Sequence, residues 1–395
     1  MAQTELIGPS GEFLDYLDRE IFPNLDRAEV FSDLDPQNNG ANWSLDCPNC
    51  GKREARVRKN GFILLCPRPK GCGHVTSLIA HASEVPFPRG KGFITAVRIL
   101  SEMAGRDFFR SEISQEDLVW AGEKDRRVCL LEAFMDFARS KFCTEVGAAS
   151  RDRFEKEFGL SEGSSQLLDP GFYPSVEEVK ETLHEAGCYL LTGEDLGFFS
   201  QKWEGLIVFP WMDLLGRMVN VFGIRMGTIP EREKEYESLN WVNQERPILD
   251  TVIPFDGEDV LFGLYQASQL KRKNLLLVSD PLQALVLQIL GIDDPFPIAG
   301  LDGIREKQVN TLNGYLESQG ELILHLTNSS GIDESTLEKT RKGFSLLEKE
   351  GNSIRVIDTK IGGTNPREWV NQTPGKFVLD RGPSAYRSLL GSARS

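Results

Sequence analysis

Apolar residues recur at helical spacing near the start of the chain, where Phe13, Leu14, Leu17, Ile21 and Phe22 predict an amphipathic helix within 10–36, followed by an acidic turn. The pattern then changes. Arg56-Val57-Arg58 and Phe62-Ile63-Leu64-Leu65 read as strands, and Lys59-Asn60-Gly61 between them holds the Asn-Gly pair favoured by tight hairpin turns. Helical spacing returns over Val75 to Ala82 and again over Phe93 to Ala104, where Val97, Leu100 and Met103 share a face and Gly105 is placed as the stop. That stripe is read as core. Residues 107–115 form the first linker, and from Glu116 to about Phe142 a helix carries Leu130, Leu131, Phe134, Phe137 and Ala138 on one side.

Ser150 to Phe158 reads as a short charged helix stopped by Gly159, and Ser175-Val-Glu-Glu178 as a capping box opening a helix that ends at Gly187. Gly205-Leu-Ile-Val-Phe-Pro210 and Met218-Val-Asn-Val-Phe222 flank Asp213-Leu-Leu-Gly216 as a buried hairpin. The last third alternates. Strands are expected at Asn274–Val278, Phe296–Ile298, Glu321–Leu326 and Ser353–Ile357, with helices at Pro281–Leu290, Glu306–Glu317 and Asp333–Glu350. Strands separated by helices imply crossover connections and a mostly parallel sheet, with chemistry beyond the C-terminal strand ends. Neither an internal repeat nor a low-complexity tract is visible, and residues 381–395 read as a tail.

Composition narrows the class. A chain of 395 residues with 40% hydrophobic and 26% charged residues is long enough for two or three globular domains. No apolar run reaches the ~20 residues that span a bilayer, and Met1-Ala-Gln-Thr-Glu5 lacks the basic and apolar regions of a signal peptide. A cytoplasmic protein without membrane association is expected. The net charge of −14 argues against a protein that coats nucleic acid non-specifically. Charge is uneven, however. Lys52, Arg53, Arg56, Arg58, Lys59, Arg68 and Lys70 crowd one short segment, opposed there only by Glu54. Such a face suits phosphate contacts at chosen points, although a solvated ribbon surface gives the same run.

Within that segment lies the strongest chemical signal. Cys47-Pro-Asn-Cys50, Cys66 and Cys72-Gly-His74 bracket the Asn60-Gly61 hairpin. Soft ligands from two adjacent turns are what a tetrahedral Zn²⁺ site needs. A hairpin this small buries too little apolar surface to fold alone, whereas a structural zinc contributes about 10–16 kcal/mol. Cys47, Cys50, Cys66 and Cys72 are the expected ligands, with His74 as the alternative to Cys72. Of seven cysteines this leaves Cys129, Cys143 and Cys188, an odd remainder that points to reduced thiols rather than a disulfide framework.

In order, these parts resemble the bacterial DnaG-type DNA primases. Gly71-Cys-Gly-His-Val-Thr-Ser-Leu-Ile79 looks like the end of the family's zinc ribbon and its following helix, and Phe93 to Gly105 like the helix that closes that module. Leu206-Ile-Val-Phe-Pro210, Gly216-Arg217 and Gly223-Ile-Arg225 resemble the family's strand pair. Leu261-Phe-Gly-Leu-Tyr-Gln-Ala267 and Gly363-Thr-Asn-Pro-Arg-Glu368 resemble segments before and within its Toprim fold. The resemblance implies an α/β protein: an N-terminal zinc ribbon over 1–106, a helical and β region over 116–270, and a Toprim-like core with a mostly parallel sheet over 271–380. It adds Arg217 and Arg225 to the expected DNA contacts. Single-stranded DNA is the implied partner, with a replicative helicase or another replication protein as a further one, although the chain ends without the family's helicase-contacting region.

The catalytic positions depart from the family pattern. Where a Toprim site has Glu after its first strand, this chain has Val278-Ser279-Asp280-Pro281; where it has Asp-x-Asp, this chain has Leu326-Thr327-Asn328-Ser329. Neutral hydroxyls are poor Mg²⁺ ligands without carboxylates beside them. The leading expectation is therefore a primase-like, template-binding zinc protein that has lost primer synthesis. Two alternatives stand beside it. One is an active primase in which Asp280, Asp302 and Asp358 form a relocated Mg²⁺ site. The other is an interaction scaffold that no longer binds DNA.

Overall fold

The computed structural model describes residues 12–157, 168–195, 197–225, 260–278, 281–300, 306–316, 320–325, 345–347, 353–356, 378 and 382–391. They fall into two compact units. The first takes the chain up to Gly147 with Gly171–Glu204 and Leu215–Met218, and the second takes Ala148–Pro170, Gly205–Leu214 and everything from Val219 on.

The first unit opens on helix α1 (Glu12–Tyr16), which continues as a π-helical turn over Leu17–Ile21 and a 3₁₀ turn over Phe22–Asn24. The helical pattern expected from Phe13 to Phe22 is thus met by α, π and 3₁₀ turns in succession. Pro23 sits in the 3₁₀ turn, and Asp26 starts a new helix, α2 (Arg27–Val30), by accepting from Ala28 N at 2.9 Å. A five-stranded antiparallel sheet follows, in the order β1 (Gln37–Asn39), β2 (Asn42–Leu45), β3 (Ala55–Arg58), β4 (Ile63–Leu65) and β5 (Val75–Ser77). Strands β3 and β4 lie where alternation placed them. The outer pair, β1 and β2, turns at Asn39-Gly40, with Gly40 at φ +62°. That is a second Asn-Gly signal, set in polar sequence with no apolar alternation to draw attention to it.

Val75–Ser77 is a strand, not the start of the helix expected over Val75 to Ala82. Val75 pairs with Leu65, and the Ser77 hydroxyl accepts from Ala80 N at 3.0 Å to cap helix α3 (Leu78–Ser83). Helices α4 (Lys91–Met103) and α5 (Gln115–Phe142) complete this part. The expected linker between them is packed down: Phe109 lies 5.4 Å from Phe13 and 5.2 Å from Tyr16, ring to ring. Helix α5 is buried on several faces, and Phe134 meets Tyr173 and Phe198, both of which meet Trp203, in an aromatic core in which Tyr173 donates to Phe198 O at 3.0 Å.

After helix α6 (Glu145–Glu157) and the short strand β6 (Gly171–Phe172), Ser175 caps helix α7 (Val176–Glu185) by accepting from Glu178 N. Helix α8 spans Leu190–Asp195.

The second unit holds the neighbouring strands β7 (Leu206–Met212) and β8 (Met218–Arg225), whose first residue, Met218, is grouped with the first unit. Helix α9 (Leu264–Gln269) leads into a four-stranded sheet built from β9 (Asn274–Val278), β10 (Phe296–Ala299), β11 (Glu321–His325) and β12 (Ser353–Val356). Its order is β10-β9-β11-β12 and every pairing is parallel. Helices α10 (Pro281–Ile289) and α11 (Glu306–Leu316) follow β9 and β10. Leu275, Leu277, Leu322 and Leu324 pack with Val309, Leu312 and Leu316 into its core, as the near-continuous apolar runs of buried parallel strands require. Pro383–Gly391, expected within the tail, is a helix, α12, held by its buried Tyr386, whose hydroxyl lies 2.6 Å from His325 Nδ1.

Candidate metal centre and nucleic-acid interface

Two knuckles, one joining β2 to β3 and the other β4 to β5, meet at one end of the five-stranded sheet. In the first, Gly51 N donates to Cys47 O at 2.8 Å, and Gly51 adopts φ +66°. In the second, Gly71 N donates to Pro67 O at 2.6 Å and Cys72 N to Cys66 Sγ at 3.3 Å. A Cβ at Gly71 would fall on Cys66 Sγ, so this turn admits only glycine there. The result is one cluster in which the sulfurs of Cys47, Cys50, Cys66 and Cys72 all lie within 4.8 Å of one another. Cys47 and Cys72 are 3.6 Å apart and Cys50 and Cys66 3.9 Å. A tetrahedron of thiolates around one ion at ~2.3 Å has an edge of about 3.8 Å, so the donor set and its spacing fit Zn²⁺.

Burial pushes the thiols of Cys47 and Cys66 up. Burial acts the same way on Cys72, but hydrogen bonds from the Asn49 amide and from backbone at His74 outweigh it and bring that thiol down to about 7. His74 stands outside the sulfur cluster. Its ring lies beside Gly187, where a Cβ would meet Nδ1 at 3.7 Å.

The cations of this segment divide into two groups. Arg53 is held by Asp46 at 3.0 Å and by Asp35. Arg68 pairs with Glu185 at 3.0 Å and donates to Thr182 O, so it ties the second knuckle to helix α7. Arg217 is buried and grips Asp18 with two hydrogen bonds of 2.5 and 2.7 Å, its guanidinium 5.2 Å from the centroid of Phe62. Burial raises the Asp18 carboxyl, but Arg217 and Lys124 outweigh it and hold it below the ordinary range. Arg217 and Arg68 are structural clamps rather than open phosphate contacts, whereas Arg53 stays exposed with two carboxylates against it. Charge along a sequence does not show which cations have carboxylates folded against them.

Lys52, Arg56, Arg58, Lys59 and Lys70 are exposed. The register sets Arg58 opposite Asn42 and Arg56 opposite Ser44, with Asn39 and Gln37 opposite those in turn. Directly opposed residues share a face, so the two arginines and four polar side chains make one open, apolar-poor face. Asp136 steadies its inner end, 4.0 Å from Arg56. On the other side of the sheet, where Trp43 stands opposite Val57, Lys59 Nζ lies 5.5 Å from the ring of Trp43, a half-buried aromatic that the charge pattern alone did not single out.

At the second unit's sheet, the C-terminal strand ends are Val278, Ala299, His325 and Val356. Ser279, Asp280, Asp302, Thr327, Ser329 and Asp358, together with the Arg225 side chain, lie outside the described residues.

A scan against family models finds no match, and neither does a search of curated proteins. Solved structures do match. The chain is similar to the crystal structure of the Aquifex aeolicus primase, zinc-binding and RNA polymerase domains, with a TM-score of 0.50 and 19% identity over 95% of this chain and 84% of that one. It is also similar to a DnaG primase catalytic domain bound to single-stranded DNA, with a TM-score of 0.50 and 18% identity over 69% of this chain and 83% of that one. Likeness at this identity speaks to architecture. The chain has the fold of the zinc-binding and RNA polymerase domains of DnaG-type primases.

Proposed function

We propose that this chain is a zinc-binding, primase-like protein that binds single-stranded template DNA in replication of a bacterial, phage or mobile-element genome, and that it makes no primers by itself. The observation that carries the reading is the sheet face of Arg56 and Arg58, held on a four-cysteine cluster, with Lys59 and Trp43 together on the other side of the same strands. Zn²⁺ held by Cys47, Cys50, Cys66 and Cys72 would fix both knuckles and so the register of the strands between them. The two guanidiniums then meet phosphates, while Lys59 and the Trp43 indole add a cation and a ring at the end of the same hairpin. The relative whose structure contains single-stranded DNA supports this choice of ligand.

Loss of synthesis follows from the sequence at the Toprim-like positions. Ser279, Thr327 and Ser329 replace the carboxylates that would hold Mg²⁺ against the phosphates. The test pairs two assays on one zinc-loaded preparation. Fluorescence anisotropy should show binding of labelled single-stranded DNA, while primer synthesis from nucleotides with Mg²⁺ or Mn²⁺ should yield no product. Primers made by the wild-type chain and abolished by Asp280→Asn or Asp358→Asn would replace this reading with the relocated-site enzyme.

A further inference from the structure

An aromatic and cationic cluster in the first unit belongs neither to the core nor to the ribbon face. The loop Ala186–Tyr189 is seated on the second metal knuckle. Val75 N donates to Ala186 O at 3.2 Å, and the His74 ring lies beside Gly187. From that seat the chain brings Tyr189 against Phe87, ring centroids 5.4 Å apart and planes inclined by 51°. Two guanidiniums approach the same Tyr189 ring, Arg89 at 5.2 Å and Arg126 at 5.7 Å.

The two arginines differ. Arg126 is buried at 6% exposure and paired with Glu123, so it backs the tyrosine from within the fold. Arg89 is exposed, and among the described residues neither it nor Lys91 has an ion-pair partner. Within residues 84–92 the only carboxylate is Glu84. Phe87 lies between Pro86 and Pro88, which restrict its backbone, and both Phe87 and Tyr189 stay half-buried. The core aromatics Phe134, Tyr173 and Trp203, by contrast, are closed off from solvent altogether. Half-open rings interleaved with unpaired cations suit a partner that offers π-faces and negative charge together, which is the chemistry of single-stranded nucleic acid.

We propose that Phe87, Tyr189 and Arg89 form a stacking platform for a base of single-stranded DNA and its phosphate, adjoining the metal knuckle. The inference rests on the template-binding function proposed above and adds a second contact surface to it. Binding of labelled oligo-dT to the full, zinc-loaded chain tests both, with an Arg58→Ala/Lys59→Ala variant reporting on the ribbon face alone. Tyr189→Ala should weaken binding roughly tenfold, the scale of one lost base–aromatic stack, while Tyr189→Phe should bind like the wild type. If Tyr189→Ala binds normally while the ribbon variant is weakened, the platform is overturned and the ribbon reading stands. A wild-type chain that binds no oligo-dT overturns both. Photocrosslinking of 5-iodouracil DNA to the wild-type chain serves where Tyr189→Ala does not fold. Attachment to Tyr189 or Phe87 is expected, and attachment confined to residues outside 84–92 and 186–190 would overturn the platform.

Discussion

Asp125 shows how one buried carboxyl shapes the first unit. It accepts a 2.7 Å hydrogen bond from the Ser77 hydroxyl, the same hydroxyl that caps helix α3, and burial pushes its pKa up to about 6. In the unfolded chain the group titrates near ~3.9, so between these values the native state holds a proton that the unfolded state has lost. Its contribution to stability is therefore present at low pH and declines as pH rises from about 4 to about 6, by roughly 2–3 kcal/mol. Asp18, held low by Arg217 and Lys124, has the opposite sign: its contribution exists above ~3.9 and is lost as pH falls further. Asp125→Asn keeps an acceptor for Ser77 and removes the titration. Urea midpoints taken across pH 4 to 6.5 should fall with pH more steeply in the wild type than in the variant; parallel curves would contradict this account. Nothing in the spacing of Asp125, Asp18 or Arg217 announces these partners. Residues 18 and 217 are joined only by the fold, whereas the four cysteines, compressed into one short segment, were legible at once.

Among the elements, legibility followed periodicity. Strands β9 and β11 and helices α5, α7 and α11 sit within a residue or two of their expected bounds because each carries a long apolar pattern or a cap. The ribbon's outer strands were missed because Gln37 to Asn39 and Asn42 to Leu45 are mostly polar; β2 is held by pairing to β3 and by its one buried residue, Leu45, and β1 by pairing to β2. Val75–Ser77 was read as helix because three residues cannot show a period, and only its partners Ile63 to Leu65 make it a strand. A Zn²⁺ held by the four cysteines would do at this scale what apolar burial cannot. Removing it should melt the five-stranded sheet before the parallel sheet of the second unit. With a strong chelator, trypsin is expected to cut first at Arg56, Arg58 or Lys59, sites protected in the zinc-loaded chain. Identical digestion with and without chelator would show that the cysteines hold the sheet without a metal.

At the scale of the molecule, a parallel sheet in one unit and a cysteine-clamped sheet in the other reproduce the architecture of a primase's zinc-binding and RNA polymerase domains. The parallel sheet was readable from alternating strand and helix signals. Which face of the ribbon is open was not, because that depends on register. The register turns Arg56 and Arg58 to the same side as Asn42 and Ser44, and the structure removes Arg68 and Arg217 from the open set by pairing and burying them, while Arg53 is neutralised by Asp35 and Asp46. A protein with a net charge of −14 can then bind a polyanion only through local basic surfaces such as that face, and its binding must depend on salt. The most direct measurement is the slope of log affinity for single-stranded DNA against log salt, for the wild type and for the Arg56→Ala/Arg58→Ala/Lys59→Ala variant. The account predicts a slope flattened by about 2 in the variant, at ~0.7 per lost phosphate contact. Equal affinity and equal slope in the two proteins would contradict it and favour a scaffold that does not bind DNA.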